Sequence, residues 1–195
     1  MLLLLLAVAR LDPELERELV ERARISPAAF GELYDHYFPL IYAYAARRVG
    51  NPHDAEDIAA LTFEKALQAM DRFEWKDVSF SAWLYRIATN LITDHFRRAG
   101  RHKQMSFDEL EGVLSVSEPR FEQVERAARL MELVAKLPVQ YQHMLTLKFF
   151  EDLSLDEMAE VLGQSKKTVT MKLYRSLKAL KQLVAESGLS LEEGL

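Results

Sequence analysis

Lys166, Lys167, Thr168, Lys172 and Arg175 follow one another within a short stretch, and Val169, Leu173 and Leu177 run between them at i, i+4 and i+8. On a helix that spacing turns an apolar stripe inward and leaves the amines, the hydroxyl and the guanidinium outside. Such groups neutralise phosphates and donate hydrogen bonds to base edges, so the chemistry they offer is recognition of a polyanion. Lysines in the first turn oppose the helix dipole, at a cost of about 0.3–1 kcal/mol each, and a polyanionic partner gives a reason for keeping them. No acidic residue lies between Val161 and Ala185. A solvated basic face on a structural helical hairpin is the competing reading.

The residues upstream supply the frame. Ser154 and Glu157 have the spacing of a capping box, in which the serine hydroxyl satisfies the glutamate's backbone donor and the glutamate returns the bond. Ala159 is small where a second helix must cross closely, Gly163 allows a sharp turn, and Ser165 is placed to cap the next helix. This is helix-turn-helix spacing, with DNA as the expected ligand.

A second polar constellation occupies residues 81–101. Arg86, Asn90, Asp94, Arg97 and Arg101 recur at steps of three and four, and Arg98 and Lys103 extend the charge. Just before it, Phe73, Trp75 and Phe80 flank a short charged loop, an arrangement suited to stacking or holding unpaired bases. Trp83 falls on the apolar side of its helix and reads as core, whereas Trp75 suits core and stacking equally.

Enzyme chemistry has no candidate constellation. The seven glycines are isolated, so neither a P-loop nor a dinucleotide fingerprint is present. The five histidines, His36, His53, His95, His102 and His143, form no zinc motif, and none has a glutamate three residues before it. With no cysteine there is no thiolate metal site, no disulfide framework and no cysteine nucleophile, and a reducing compartment fits best. Asp54, Glu56 and Asp57 read as a solvated acidic helix start in preference to a cation site. No metal, cofactor or small-molecule substrate is expected.

These groups must be positioned by helices. At 195 residues, 49% hydrophobic and 28% charged, the chain has the balance of a folded soluble protein of one mid-sized or two small domains. Asp12 and Pro13 open a helix to about Arg24; Ser26 and Pro27 open another through Phe30, Leu33, Tyr34, Tyr37, Ile41 and Tyr44, with a kink or break expected at Pro39. A third helix runs from Pro52 to about Met70. A fourth, from Ser81, buries Trp83, Leu84, Ile87, Ala88 and Leu91. No strand-like alternation persists, so the fold class is all-α. The leucine run Met1–Ala9 is shorter than the roughly 20 residues of a membrane span and reads as a packed or frayed helix, with a partner-binding patch as the alternative. The expected organisation is an extension over 1–25, a helical domain over 26–101, an irregular linker over 102–123, a helix-turn-helix domain over 124–183 with one helix from Pro138 to Phe150, and a tail over 184–195.

The stretch Phe80–Arg98 resembles the conserved region 2 helix of bacterial sigma factors. Asp54, Ala55, Glu56 and Asp57, followed by Thr62 and Phe63, resemble the polymerase-binding helix that precedes it, and Leu153–Leu180 resembles region 4. With no other sigma region between them, the similarity is to the extracytoplasmic-function (group IV) class of the sigma-70 family, over about Phe30 to Gln182. The resemblance implies a cytoplasmic, non-enzymatic transcription initiation factor that recognises two promoter elements and assists promoter melting, monomeric or 1:1 with a partner. Its first domain would bind the β′ clamp helices of core RNA polymerase through Asp54, Glu56, Asp57 and Phe63. The same domain would bind the minus-ten element through the loop Glu74–Ser79 and Asn90, which with the basic stripe gives the set Trp75, Lys76, Arg86, Asn90, Arg97, Arg98 and Arg101. The second domain would bind the β flap and read the minus-thirty-five element through Lys166, Lys167, Thr168, Met171, Lys172 and Arg175. The linker acids Asp108, Glu109, Glu111 and Glu118 would mimic nucleic acid in the polymerase cleft, or be merely solvated. An anti-sigma factor is a further expected partner. Where relatives commonly carry a glutamine and a glutamate, this chain has Ala60 and Leu61.

Charge distribution reconciles a net charge of -5 with DNA binding: acids outnumber bases from Asp54 to Asp77 and in the linker, while both candidate DNA faces are basic. Two other classes compete. A stand-alone helix-turn-helix regulator would dimerise on a palindromic operator, and a sequestering module would bind polymerase or a partner without starting transcription.

Overall fold

Three helices open in the same way, on a small polar cap followed by proline. In α1 (Pro13–Ala23) Asp12 accepts from the backbone N–H of Glu14 at 3.0 Å. In α2 (Pro27–Val49) Ser26 accepts from Ala29, and in α3 (Pro52–Ala69) Asn51 accepts from His53 at 2.9 Å. Proline suits the first helical position because its missing N–H would be an orphan there, and a side-chain cap contributes about 1 kcal/mol. Gly50 ends α2 in the left-handed conformation, φ 64°, returning its N–H to Ala46. Pro39 does not break α2; Tyr37, Leu40 and Ile41, all buried, hold the helix through the missing hydrogen bond. This computed structural model describes residues 11–75, 79–98 and 129–187. The expectations for Met1–Ala9, the linker 102–123, Lys76, Arg101 and the residues beyond 187 lie outside the described residues.

Helices α1, α2, α3 and α4 (Phe80–Arg98) pack on one another as an N-terminal unit. The start of α4 is fixed from two directions. Ser79 Oγ accepts from Ala82 N at 3.2 Å and donates to Glu157 of the C-terminal unit, while Glu16 of α1, 3% exposed, accepts from Ser81 N at 3.1 Å and from the Tyr37 hydroxyl. Two carboxylates thus sit at the positive end of α4, where its dipole favours them. The first helix, which the sequence leaves without a role, therefore positions the helix that carries the basic stripe. The buried face of α4 is broader than the predicted one: Phe80, Tyr85, Thr89 and Ile92 join Leu84 and Ala88, while Trp83, Ile87 and Leu91 are half-buried. The reason is that α4 is covered twice, by α2 and α3 and again by α7.

The C-terminal unit comprises α5, whose described residues are 129–135, α6 (Val139–Leu145), α7 (Leu155–Leu162) and α8 (Lys166–Ser187). The helix expected from Pro138 to Phe150 runs unbroken from Val139, and its last part, Thr146–Phe150, widens from α- to π-helical. Helix α8 continues past residue 183 to Ser187, and Val184 is buried.

One apolar core runs from α1 to α4 into Met144, Leu147, Leu153, Met158, Val161 and Val169, so the two units share it; a smaller cluster packs Val134, Leu137 and Leu145 against Leu173, Leu177 and Leu180. The sequence predicts two domains on a tether, and the structure seats them against each other through α4 and α7. The described residues are helical or irregular, with no strand among them, in keeping with the all-α expectation. No helix among them is long and apolar enough to cross a membrane.

Candidate nucleic-acid interfaces

The helix-turn-helix is assembled from local hydrogen bonds. Ser154 and Glu157 close the predicted capping box, Glu157 N to Ser154 Oγ at 3.2 Å and Ser154 N to Glu157 Oε2 at 2.8 Å. Gly163 adopts φ 60°, a conformation that a side-chain-bearing residue would take only with strain, and Ser165 Oγ accepts from Thr168 N at 3.2 Å to start α8. Along α8 the side chains of Lys166, Lys167, Thr168, Met171 and Arg175 are exposed, and Val169 is buried beneath them. Lys172 is half-buried with Nζ on Gln164 Oε1 at 2.9 Å, and Lys166 pairs with Asp156 at 2.8 Å. All six predicted positions are therefore brought to one helix, five of them fully at its surface. Tyr174, 63% exposed, lies on α8 three positions after Met171 and was missed in the sequence, where an aromatic among leucines reads as core.

The α4 stripe is less open. Arg98 and Asn90 are exposed, Arg97 pairs with Asp94 of its own helix at 3.2 Å, and Arg86 pairs with Glu160 of α7. Of the three aromatic residues expected to meet bases, Phe73 and Phe80 are buried. They pack edge to face at 5.5 Å, which removes them from any stacking role. Trp75 is half-buried, edge to face against Phe73 at 6.0 Å.

On α3, Glu56 and Asp57 are exposed, and half-exposed Asp54 approaches His95 of α4 at 3.7 Å. Phe63 is 3% exposed and packed against Phe30 and Tyr34, so it shapes the helix surface from beneath and does not reach a partner. Leu61 and Leu67 are the large apolar side chains that α3 does expose; the sequence signal was available in the first of them, a leucine following three acids on the same helix. No group of three or more metal-ligating side chains occurs among the described residues.

Comparison with known proteins agrees with this layout. Sigma-70 region 2 matches residues 33–102 and Sigma-70, region 4 matches residues 127–180. The chain is 36% identical to the ECF RNA polymerase sigma factor BldN of Streptomyces coelicolor over 174 residues, 87% of this chain and 66% of that one. It is 34% identical to the ECF RNA polymerase sigma factor SigW of Bacillus subtilis over 167 residues, 79% of this chain and 88% of that one. The chain belongs to the extracytoplasmic-function family of RNA polymerase sigma factors. It is a transcription initiation factor and not an enzyme. Among solved structures it is similar to CnrH in complex with the cytosolic domain of CnrY, at 30% identity and a TM-score of 0.61, over 88% of this chain and 97% of that one.

In this sigma factor regions 2 and 4 are joined by more than apolar packing. Glu151 of region 4 is buried and accepts from Arg47 and from the Tyr85 hydroxyl, the latter at 2.5 Å. Tyr44 shares hydrogen bonds with Thr89 at 2.7 Å and with His143 Nε2 at 2.8 Å. Burial raises the Tyr44 pKa, and burial together with the nearby Arg48 charge holds His143 well below its ordinary value, so the pair is neutral at pH 7. The result is that α7 lies over the outward face of α4, beside Arg86 and Asn90.

Proposed function

We propose that this sigma factor reads the minus-thirty-five element through the exposed face of α8 and the minus-ten element through Trp75, Asn90 and the arginines of α4. Core polymerase binds α3, where Glu56 and Asp57 present charge and Leu61 and Leu67 present apolar surface. The observation that carries the reading is the acid-free, exposed row Lys167, Thr168, Met171 and Arg175 behind the Gly163 turn. Side chains at this spacing on a helix following such a turn enter a major groove, arginine and lysine pairing with guanine and phosphate.

The packed arrangement is the state that cannot read a promoter at minus ten, since Arg86 is held by Glu160 and Asn90 faces the cleft under α7. Binding to polymerase parts α4 from α7 and presents both faces to DNA at once, which converts two weak contacts into one tight one. The isolated chain, a cytoplasmic monomer, accordingly binds DNA weakly and with strong salt dependence. An anti-sigma factor acts by keeping the units together 1:1; the likeness to CnrH, solved with the cytosolic domain of CnrY, supports that regulation.

The test is transcription in vitro from a genomic promoter library with core polymerase, with and without the protein. Discrete new transcripts sharing two spaced upstream elements are expected. Polymerase capture without transcripts, or a dimeric operator footprint without polymerase, contradicts the reading.

A further inference from the structure

Between the two regions lies a polar cleft of about 310 Å³, walled by Arg48, Arg86, Thr89, Asn90 and Thr93 from region 2 and by His143 and the C-terminal end of α7 from region 4. Arg48 is the unusual member. It is 8% exposed, and its Nε and Nη1 atoms have no hydrogen-bond partner among the described residues. The neighbouring Arg47 is paired with Glu151 and lies over the Phe150 ring at 5.4 Å. A guanidinium is never deprotonated in a protein, so Arg48 carries a buried positive charge whose natural compensation is an anion.

We propose that this cleft binds a phosphate group, either free inorganic phosphate or the head of a small phosphate ester. Arg48 supplies the charge, with a guanidinium fork matched to a tetrahedral oxyanion, while Arg86 at the rim keeps its ion pair with Glu160. The Thr89 and Thr93 hydroxyls already serve the hydrogen bonds to Tyr44 and to the Thr89 carbonyl, so they shape the wall, while the Asn90 amide remains to donate. The volume sits at the low end of the roughly 300–1,000 Å³ of small-molecule sites, and the polar lining suits a hydrated anion better than an apolar ligand. His143, held by Tyr44, closes the region 4 side of the cleft. Because the walls come from both regions, the anion ties α4 to α7 and stabilises the arrangement in which Arg86 is paired with Glu160 and Asn90 lines the cleft. Phosphate binding is thereby a brake on promoter recognition.

The test uses the full chain without polymerase or DNA, so its failure is distinct from a failure of the sigma-factor reading. Thermal unfolding is followed against inorganic phosphate, and separately against ribose 5-phosphate, at constant ionic strength. A saturable rise of about 3–6 °C at ten times the dissociation constant is expected for the wild type. Loss of that rise is expected in Arg48→Gln, and an unchanged rise in Arg22→Gln, an exposed arginine of α1 paired with Glu32 and outside the cleft lining. A response to inorganic phosphate alone assigns the free ion; a response to both assigns a site that grips an ester's head. Amide shift mapping on the wild type decides the matter independently of any variant: changes at Thr89, Thr93 and Gly163 are expected. No saturable rise, or shifts confined to Lys166 and Lys167, overturns the proposal.

Discussion

Arg86 on α4 and Glu160 on α7 form an ion pair across the boundary between regions 2 and 4, with both side chains nearly half exposed, at 47% and 40%. At that exposure the pair contributes only about 0.2–1 kcal/mol, too little to hold two units together by itself. Its significance is competition, since the glutamate occupies an arginine that promoter phosphates or bases would otherwise take. Glu160→Gln should leave the urea midpoint nearly unchanged and raise the affinity of the isolated chain for promoter DNA by about 1.4- to 5-fold, that energy expressed as a ratio. Fluorescence anisotropy with a labelled duplex measures it, and an unaltered affinity would deny Glu160 the competing role.

Glu16 carries more of the fold than its place in the first helix suggests. Its carboxylate receives the Tyr37 hydroxyl and the Ser81 backbone in a buried position. Removing it strands two donors at about 1–3 kcal/mol each. Glu16→Ala should therefore lower the unfolding free energy by about 2–6 kcal/mol in urea, and Glu16→Gln, which keeps an acceptor, by clearly less. Equal losses from the two variants would show that the hydrogen bonds are not the cause.

The neutral His143 predicts an acid-sensitive fold. Burial and Arg48 depress its pKa in the native state, and Tyr44 is its hydrogen-bond partner. Below about pH 6.5 the unfolded chain takes up a proton that native His143 refuses, so stability is present above that value and is lost as pH falls, by at most about 1.4 kcal/mol per unit. Urea midpoints at pH 7.5 and 5.5 should differ more for the wild type than for His143→Gln. The same difference in both proteins would place the sensitivity elsewhere.

Arg175 is exposed on α8 with no acid on its own face. Arg175→Ala should weaken binding of the polymerase complex to its promoter by about 1–3 kcal/mol and relax specificity at one base pair if the guanidinium reads that base. A loss of the same size on every sequence would identify a phosphate contact instead.

The sequence carried the local structure well because its signals are short-range. Asp12, Ser26 and Asn51 before prolines, the Ser154 and Glu157 box and Gly163 each announce a helix boundary through bonds made within a few residues. The exposed basic row of α8 was legible for the same reason, being one stripe of one helix. What escaped was long-range. Phe73 and Phe80 looked like contact residues because an aromatic beside charges gives no sign of which way it faces, Phe63 because of the family resemblance, and all three are buried. Glu157 reads in the sequence only as a local cap, and nothing near Glu16 or Glu151 names a partner, yet each is buried at a junction between helices distant in sequence. The closure of α7 over α4 depends on those junctions and on a shared core, neither of which has a periodicity to read.

The most direct test of the account joins α4 to α7 covalently. The chain has no cysteine, so Arg86→Cys combined with Glu160→Cys provides a unique pair that a short bis-maleimide can bridge. The comparison is the same double variant capped with N-ethylmaleimide, which carries the same substitutions without the bridge. In transcription with core polymerase the bridged protein should initiate at least about tenfold less than the capped one, a barrier of about 1.4 kcal/mol or more. Equal initiation by the two would contradict the claim that regions 2 and 4 must part for the promoter to be read.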